Sequence, residues 1–275
     1  MSRGGVPVRD ALDSAVVALR AAGVETPRLD AEVLLAHALG VDRARLVIEP
    51  DRPVEGPAVR TFQDAVRRRG VGREPVAYIT GVRGFRRLDL HVDARVLIPR
   101  PETETLVEAA LELPAGARVA DVGTGSGAVA LALKDERPDL DVTGTDASPD
   151  ALAVARANAA RLGLDVRFRE ADLLDGAGEV DAVLSNPPYV EDGTPLQPEI
   201  ERHEPPVALY AGGDGLAVIR RLAAQAGASA ARLLALEVGM GQADEVAVVL
   251  RDAGFATTET RRDLAGIERV VIGRR

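Results

Sequence analysis

From residue 118 onward, short apolar runs alternate with segments whose apolar residues recur every three to four positions, and this alternation leaves little choice of fold. The runs R-V-A-D-V (118–122), V-T-G-T-D (142–146), V-R-F-R (166–169), V-D-A-V-L-S (180–185) and R-L-L-A-L-E-V (232–238) read as strands. Helices are expected at 127–135, 149–162, 214–228 and 241–253. Such an order predicts an α/β fold with a mostly parallel, doubly wound, Rossmann-like sheet of seven strands. The last two strands, near 255–260 and 267–273, have no helix between them. The final strand should therefore run antiparallel at or near an edge.

The first part of the chain carries a different pattern. Val8, Leu12, Ala15, Val16 and Leu19 share a helical spacing over 8–22, and Pro27 can open a second helix that Gly40 stops. Further helices at 42–49 and 57–69 complete a small helical domain, residues 1–73. The run Arg67, Arg68, Arg69 reads as a solvated helix end. V-A-Y-I-T (76–80), L-D-L-H-V (88–92) and R-V-L-I (95–98) read as short strands, which makes 74–98 a β-hairpin linker. A helix through Leu113 follows P-R-P-E-T-E (99–104), inside an α/β domain over 99–275.

Composition removes several chemistries. With no cysteine there is no disulfide, thiolate nucleophile or cysteine-ligated zinc. The three histidines, His37, His91 and His203, are too scattered for a metal cluster, so no metal is expected. Residues 1–80 carry 12 Arg against 11 Asp plus Glu, whereas 81–275 carry 22 basic against 32 acidic residues. An acidic large domain would repel a free polyanion, so stable nucleic-acid binding is not expected. The start lacks a signal-peptide pattern and no stretch is apolar enough for a membrane span, which reads as a cytoplasmic protein without membrane contact.

D-V-G-T-G-S-G-A (121–128) follows a strand and opens a helix. Gly123 and Gly125 permit a tight turn and close backbone approach to a ligand, and Gly127 lets helix and strand pack. Asp146, at the end of the next strand, can accept hydrogen bonds from ribose hydroxyls. These features suit S-adenosylmethionine and a dinucleotide alike. Asp121 tilts the balance, since a carboxylate before the loop opposes a pyrophosphate but favours a cationic sulfonium and the methionine ammonium. Asp172, after the third strand, stands where an adenine amino group would lie.

S-N-P-P-Y (185–189) follows the strand V-D-A-V-L, so it should face the same crevice as the glycine loop. Pro187 and Pro188 stiffen the segment and remove two donors, which leaves carbonyls as acceptors beside the Asn186 side chain. Two fixed acceptors can hold both hydrogens of an NH2 group, and Tyr189 can stack on a planar amide or base. Asn186, Pro188 and Tyr189 are accordingly the expected catalytic residues, and Asn186, Pro187, Pro188 and Tyr189 the expected acceptor site. The loop alone does not choose between a nucleic-acid base and an amide. Fixing both hydrogens favours pyramidalisation of a nitrogen whose lone pair is delocalised, so positioning and carbonyl dipoles would carry the rate.

Over nearly its full length the chain resembles the bacterial glutamine N5-methyltransferases that modify peptide-chain release factors. The resemblance is carried by R-L-D-A-E-V-L-L-A-H-A-L-G (28–40), E-P-V-A-Y-I-T-G (74–81), V-L-I-P-R-P-E-T-E (96–104), D-V-G-T-G-S-G-A, S-N-P-P-Y, E-P-P-V-A-L-Y-A-G-G-D-G (204–215), L-E-V-G (236–239) and D-L-A-G-I-E-R-V-V (263–271). N-P-P-Y is shared with adenine N6-methyltransferases; P-R-P-E-T-E and the helical domain are more specific.

The resemblance implies a class I methyltransferase domain over 99–275. S-adenosylmethionine would be held by Asp121, Gly123, Thr124, Gly125, Ser126, Gly127, Asp146, Asp172, Leu173 and Asn186, and S-adenosylhomocysteine released. It further implies a glutamine acceptor in the Gly-Gly-Gln loop of class 1 release factors and a helical domain that helps to dock the factor; the chain itself is expected to be a monomer. The chain departs from the family at Leu173 and at Arg86 and Arg87, where a large aromatic is common. Competing readings are an adenine N6-methyltransferase, a glutamine methyltransferase acting on a ribosomal protein, and a binding protein without turnover. With 3% aromatic residues the chain is poorly equipped to extract and stack bases.

Overall fold

A computed structural model describes residues 5–275; residues 1–4, which open the first expected domain, lie outside them. Two compact units result, one running to Gly81 and including Leu196–His203, the other built from Val82–Pro195 and Glu204–Arg275.

The first unit contains β1 (Val6–Pro7), α1 (Val8–Ala21), α2 (Pro27–Leu39), α3 (Arg43–Ile48), β2 (Pro53–Val54), α4 (Pro57–Gly70) and α5 (Val76–Thr80). Pro27 and Pro57 sit at first helical positions, where a missing N–H costs nothing. Gly40, at φ 62°, closes α2 in the left-handed conformation. Leu12, Leu19, Leu34, Leu35, Phe62 and Ile79 form a common core. V-A-Y-I-T is helical rather than extended. The Pro75 carbonyl accepts from the N–H groups of Tyr78 and Ile79, at 3.0 and 3.1 Å, and Gly81 ends the turn at φ 73°. Burial of Ile79 in the helical core overrides the β preference of its side chain.

The arginine run is not a solvated end throughout. Arg69 is buried, two positions and about 200° round the helix from exposed Arg67, and its Nε donates to Asp30 Oδ2 at 2.6 Å. Its Nη1 donates to Glu199 Oε1 at 2.8 Å. Glu199 comes from a short helix at Pro198–His203, which also bonds through His203 Nε2 to the Gly72 carbonyl at 2.8 Å.

The second unit begins with the hairpin β3 (Val82–Phe85) and β4 (Leu88–His91), paired antiparallel from Val82 with His91 to Phe85 with Leu88. Arg86 turns the hairpin at φ 50° and carries its guanidinium onto Glu136, with Nη2 to Oε2 at 2.9 Å. An ion pair thus occupies this departure from the family pattern. R-V-L-I (95–98) is not a strand, because its N–H groups are engaged elsewhere: Val96 closes a turn on the Asp93 carbonyl at 3.1 Å, and Ile98 donates to Glu204 Oε2 at 3.3 Å. The helix expected through Leu113 is confined to α6 (Glu104–Glu108) after a tight turn at Pro101–Thr103. Beyond it the chain folds into turns whose carbonyls at Leu111 and Leu113 accept from Arg137.

The sheet comprises β5 (Arg118–Val122), β6 (Asp141–Asp146), β7 (Arg167–Glu170), β8 (Ala182–Ser185), β9 (Leu233–Glu237), β10 (Thr257–Arg262) and β11 (Glu268–Arg274). The helices α7 (Ala128–Glu136), α8 (Pro149–Leu162), α10 (Ala217–Ala228) and α11 (Ala243–Asp252) connect them, with α9 being Pro198–His203. The spatial order is β10-β11-β9-β8-β5-β6-β7. All pairs are parallel except those of β11, which runs antiparallel to both β9 and β10, one place in from the edge.

Alternate strand residues feed two cores: Val119, Leu184, Leu233 and Val270 meet Leu106 and Leu131, while Ala120, Val183, Leu234 and Val271 meet Leu222, Val246 and Phe255. Burial on both faces explains why these strands read as continuous apolar runs. The chain reverses its direction of travel across the sheet at β5. A crevice therefore opens at the carboxyl ends of β5 and β8.

Candidate active site

The glycine loop leaves β5 and is pinned at both ends. The N–H groups of Gly123 and Thr124 donate to the Thr145 carbonyl on β6 at 2.8 and 2.9 Å. Asp146 Oδ2 accepts from Gly125 N at 2.9 Å while Oδ1 accepts from Ser148 N at 2.9 Å. Gly123 and Gly125 adopt φ of 70° and 56°, and open space lies where a Cβ would stand. At Gly127, φ 84°, a Cβ would instead come within 2.9 Å of Leu131. Two glycines thus clear room for a ligand and the third lets α7 pack.

Asp121 is fully buried. Its Oδ2 accepts from Thr124 Oγ1 at 2.6 Å and from Ala130 N at 3.1 Å, and burial pushes its carboxyl up to about 6. Asn158, also buried, holds the next residue of the loop: Nδ2 donates to the carbonyls of Ser126 and His91, both at 3.0 Å, and Oδ1 accepts from His91 N at 2.8 Å. One side chain of α8 thereby ties the glycine loop to the hairpin.

A cleft of about 310 Å³ lies beside the loop, walled by Leu97, Gly123, Gly125, Asp146, Asp172, Leu173, Asn186, Pro188 and Pro205. A smaller recess of about 50 Å³ adjoins it at Pro99, Thr103, Asp121, Thr124, Ser126 and Asn186. Of the residues singled out from the sequence, all except Gly127, Pro187 and Tyr189 line one or the other. The Asp172 carboxylate pairs with Arg221 at 2.5 Å. Leu173 holds a left-handed φ of 61°, its carbonyl accepting from Thr145 Oγ1 at 2.8 Å.

Asn186 Nδ2 donates to Thr103 Oγ1 at 3.2 Å, which leaves Oδ1 as the end of the carboxamide without that anchor. Tyr189 has another engagement: its ring packs against the second core and its hydroxyl donates to Glu237 Oε1 at 3.3 Å. Burial raises the phenol well above its ordinary pKa. Gln242 Nε2 donates to the Tyr189 carbonyl at 3.1 Å, and Gly215 has no room for a Cβ, which would fall 2.4 Å from that oxygen. Glu204, buried, accepts from Arg100 Nη2 at 2.5 Å and holds Ile98, so the E-P-P-V turn is fastened where Pro205 meets the cleft.

Thr103, Glu204, Glu237 and Gln242 had no role in the reading of the residues, although P-R-P-E-T-E, E-P-P-V and L-E-V-G contain the first three. Single acids and hydroxyls on strands and turns carry no periodic signal. Their meaning comes from partners far along the chain.

The donor set suits a nucleoside bearing a cation. Carboxylates at Asp146 and Asp172 can accept from hydroxyls and an amino group, Asp121 lies deep in the recess, and the two open glycines admit close backbone approach. No helix among the described residues is long and apolar enough to cross a membrane, and no group of His, Asp and Glu among them could hold a metal ion.

Family models match the chain twice: the PrmC N-terminal domain over residues 10–81 and the methyltransferase small domain over 101–223. The chain is 44% identical to the release factor glutamine methyltransferase of Deinococcus radiodurans, with 98% of each chain covered. It is 45% identical to that of Xylella fastidiosa strain Temecula1, covering 96% of this chain and 98% of the relative. Among solved structures, a methyltransferase from Pyrococcus furiosus aligns with a TM-score of 0.53 at 18% identity, over 68% of this chain and 88% of that one. The hMettl16 catalytic domain, in complex with an RNA hairpin, aligns with a TM-score of 0.54 at 16% identity, over 79% and 81%. These two likenesses concern the fold.

Proposed function

Because the chain belongs to the release factor glutamine methyltransferase family, we propose that it methylates the side-chain amide nitrogen of the glutamine in the Gly-Gly-Gln loop of class 1 release factors. The observation that carries this reading is the anchored Asn186 carboxamide on the wall of the same cleft as the open glycines.

S-adenosylmethionine, when bound, supplies the methyl group from its sulfonium. Asp146 would take the ribose hydroxyls, Asp172 and the Leu173 turn the adenine, and Gly123 to Gly127 the methionine portion, with Asp121 behind them. Asn186 Oδ1 and the carbonyls of the Pro187–Pro188 pair would accept the two hydrogens of the glutamine NH2. Both acceptors are stiff, so the nitrogen is presented in one orientation and the gain lies in positioning. Carbonyl dipoles aimed at the nitrogen stabilise positive charge as it develops there. A methylated amide nitrogen bearing that charge is strongly acidic, so no strong general base is needed. Tyr189, held through its hydroxyl and its carbonyl, would support the rim of this pocket.

The helical unit would help to dock the release factor. Its groove of about 250 Å³ along α1 and α4, lined by Val59, Phe62 and Val66, supports that role. The test is transfer of labelled methyl to purified release factor, to its Gly-Gly-Gln→Gly-Gly-Ala variant, to ribosomal protein and to DNA. Label should enter the release factor alone and be absent from the variant. Label in DNA or ribosomal protein, with none in the factor, would overturn the proposal.

A further inference from the structure

We infer that Asn158 is a positioning residue for S-adenosylmethionine, whose single carboxamide shapes the cleft by fixing the glycine loop and the 95–97 segment at once. The inference rests on the reading that this cleft takes S-adenosylmethionine, and on nothing about the methyl acceptor.

The N-terminal end of α8 reaches the cleft, where Ser148 and Ala151 form part of the wall. Asn158 stands seven residues after Ala151, about two turns along and on the same face of the helix. Its side chain is fully buried. Between them Ala155 meets the glycine loop, since a Cβ on Gly127 would come within 3.3 Å of the Ala155 Cβ. The loop is thus pressed against α8, and this brings the Ser126 carbonyl to Asn158 Nδ2 at 3.0 Å.

The second wall is reached through His91, at the end of β4. Nδ2 also donates to the His91 carbonyl at 3.0 Å, and Oδ1 accepts from the His91 N–H at 2.8 Å. The carboxamide therefore pairs with His91 as a residue of a neighbouring strand would. Val92, next along the chain, is buried. A turn on Asp93 follows, whose carbonyl accepts from Val96 N and whose Oδ1 accepts from Arg95 N, both at 3.1 Å. It delivers Arg95, Val96 and Leu97 to the cleft. So short a path has little slack, and holding His91 holds this wall.

The side chain at 158 must be an amide to do this. A carboxamide has two hydrogens and an acceptor oxygen, and here both hydrogens meet carbonyls while the oxygen meets an N–H. Turned over, it would set Oδ1 against two carbonyl oxygens. An apolar residue would remove this partner from three backbone groups, and buried polar groups left unpaired are costly. Loop and hairpin would shift to recover partners, and the glycines at 123 and 125 give the loop the freedom to do so. A ligand that touches both walls binds most tightly when their spacing is fixed beforehand.

Calorimetric titration of the full-length protein with S-adenosylmethionine compares wild type with Asn158→Asp and Asn158→Ala, each at a temperature where circular dichroism shows it folded. Asp keeps the size and an acceptor for the His91 N–H, but its carboxylate has no hydrogen for either carbonyl. The dissociation constant should rise at least about tenfold in both variants. A residue that only fills space would be replaced well by Asp, so the loss in Asn158→Asp separates hydrogen bonding from packing. In a nitrogen-15 spectrum of the wild type, the Asn158 side-chain NH2 signals, identified by their absence in Asn158→Asp, should exchange slowly with solvent and shift when S-adenosylmethionine is added. Affinity within about twofold of wild type in either variant would overturn the inference. So would NH2 signals that exchange like those of an exposed amide or ignore the cofactor. None of these measurements contains a release factor. A wild type that binds S-adenosylmethionine but leaves the factor unlabelled sinks the proposed function and leaves the Asn158 result standing; one that does not bind it sinks the cofactor reading and the inference with it.

Discussion

The Asp146 carboxylate fastens the backbone of Gly125, with Oδ2 accepting from its N–H at 2.9 Å while the second oxygen holds Ser148 N at the same distance. A loop rich in glycine pays the largest entropic cost of ordering, and a charge-assisted bond at its midpoint offsets part of that cost. Asp146→Ala should weaken S-adenosylmethionine binding by at least about tenfold, since a hydrogen bond to a charged group contributes about 1.5–3 kcal/mol. Calorimetric titration measures it. Unchanged affinity would show that the loop holds its shape without the carboxylate.

Asn186 lines the cleft, but only its NH2 end is tied down, to Thr103. Asn186→Ala should leave cofactor affinity within a few-fold and reduce kcat by two or more orders of magnitude, on the order of 3 kcal/mol or more of transition-state stabilisation. Single-turnover kinetics with release factor in excess separates the two effects. Turnover near wild type would remove the amide clamp.

Glu237 also makes a prediction about stability. Its carboxyl rises from an ordinary 4.5 to about 7 in the folded chain. The folded state therefore binds more protons than the unfolded state between these values. Stability associated with the group is fully present below about 4.5 and declines as pH climbs through about 7. Glu237→Gln should be more stable than wild type at pH 8, by on the order of 1–3 kcal/mol, and close to it at pH 4.5. Urea titrations of both proteins at the two pH values check this. A gap that does not widen with pH would mean that Glu237 is compensated better than its partners suggest.

In the helical unit, Arg69 stands between Asp30 and Glu199 with all three side chains largely out of water. Removing the cation leaves the buried Asp30 carboxylate without its ion-pair partner, while Glu199 keeps only Arg73, whose Nη2 lies 2.6 Å from its Oε1. Arg69→Ala should cost about 3–5 kcal/mol of the stability of that unit, and Arg69→Met nearly as much, because packing is not what is lost. Amide exchange protection in α2 and α4 of the full chain reports it. Protection unchanged in both variants would show that water or rearrangement repays the loss.

The alternation of strands and helices, the glycine loop after β5 and the rigid N-P-P-Y turn after β8 were legible in the sequence because each is local. A period of two or 3.6 residues, a glycine that must take positive φ and a proline that cannot donate all act within a few positions. Three short apolar stretches show the limit of that reading. V-A-Y-I-T had the composition of a strand and became α5, since Pro75 and Gly81 frame a turn and Ile79 is wanted in the helical core. R-V-L-I could not pair, because Glu204 takes the Ile98 N–H from 106 residues away. Arg69 looked like the end of a solvated run and proved to be the buried member of an ion network.

The sequence by itself thus determined the doubly wound sheet and which two loops must share a crevice, because strand order and loop composition follow from local pattern. Only the tertiary structure decided how those loops are held. Thr103 meets Asn186 across 83 residues of chain, Tyr189 meets Glu237 across 48, and Asn158 meets His91 across 67. Hydrogen-bond direction is a property of such meetings rather than of any residue type. Asn186 can be named from its motif, but the anchoring of its carboxamide on Thr103 depends on a turn that lies far from it along the chain.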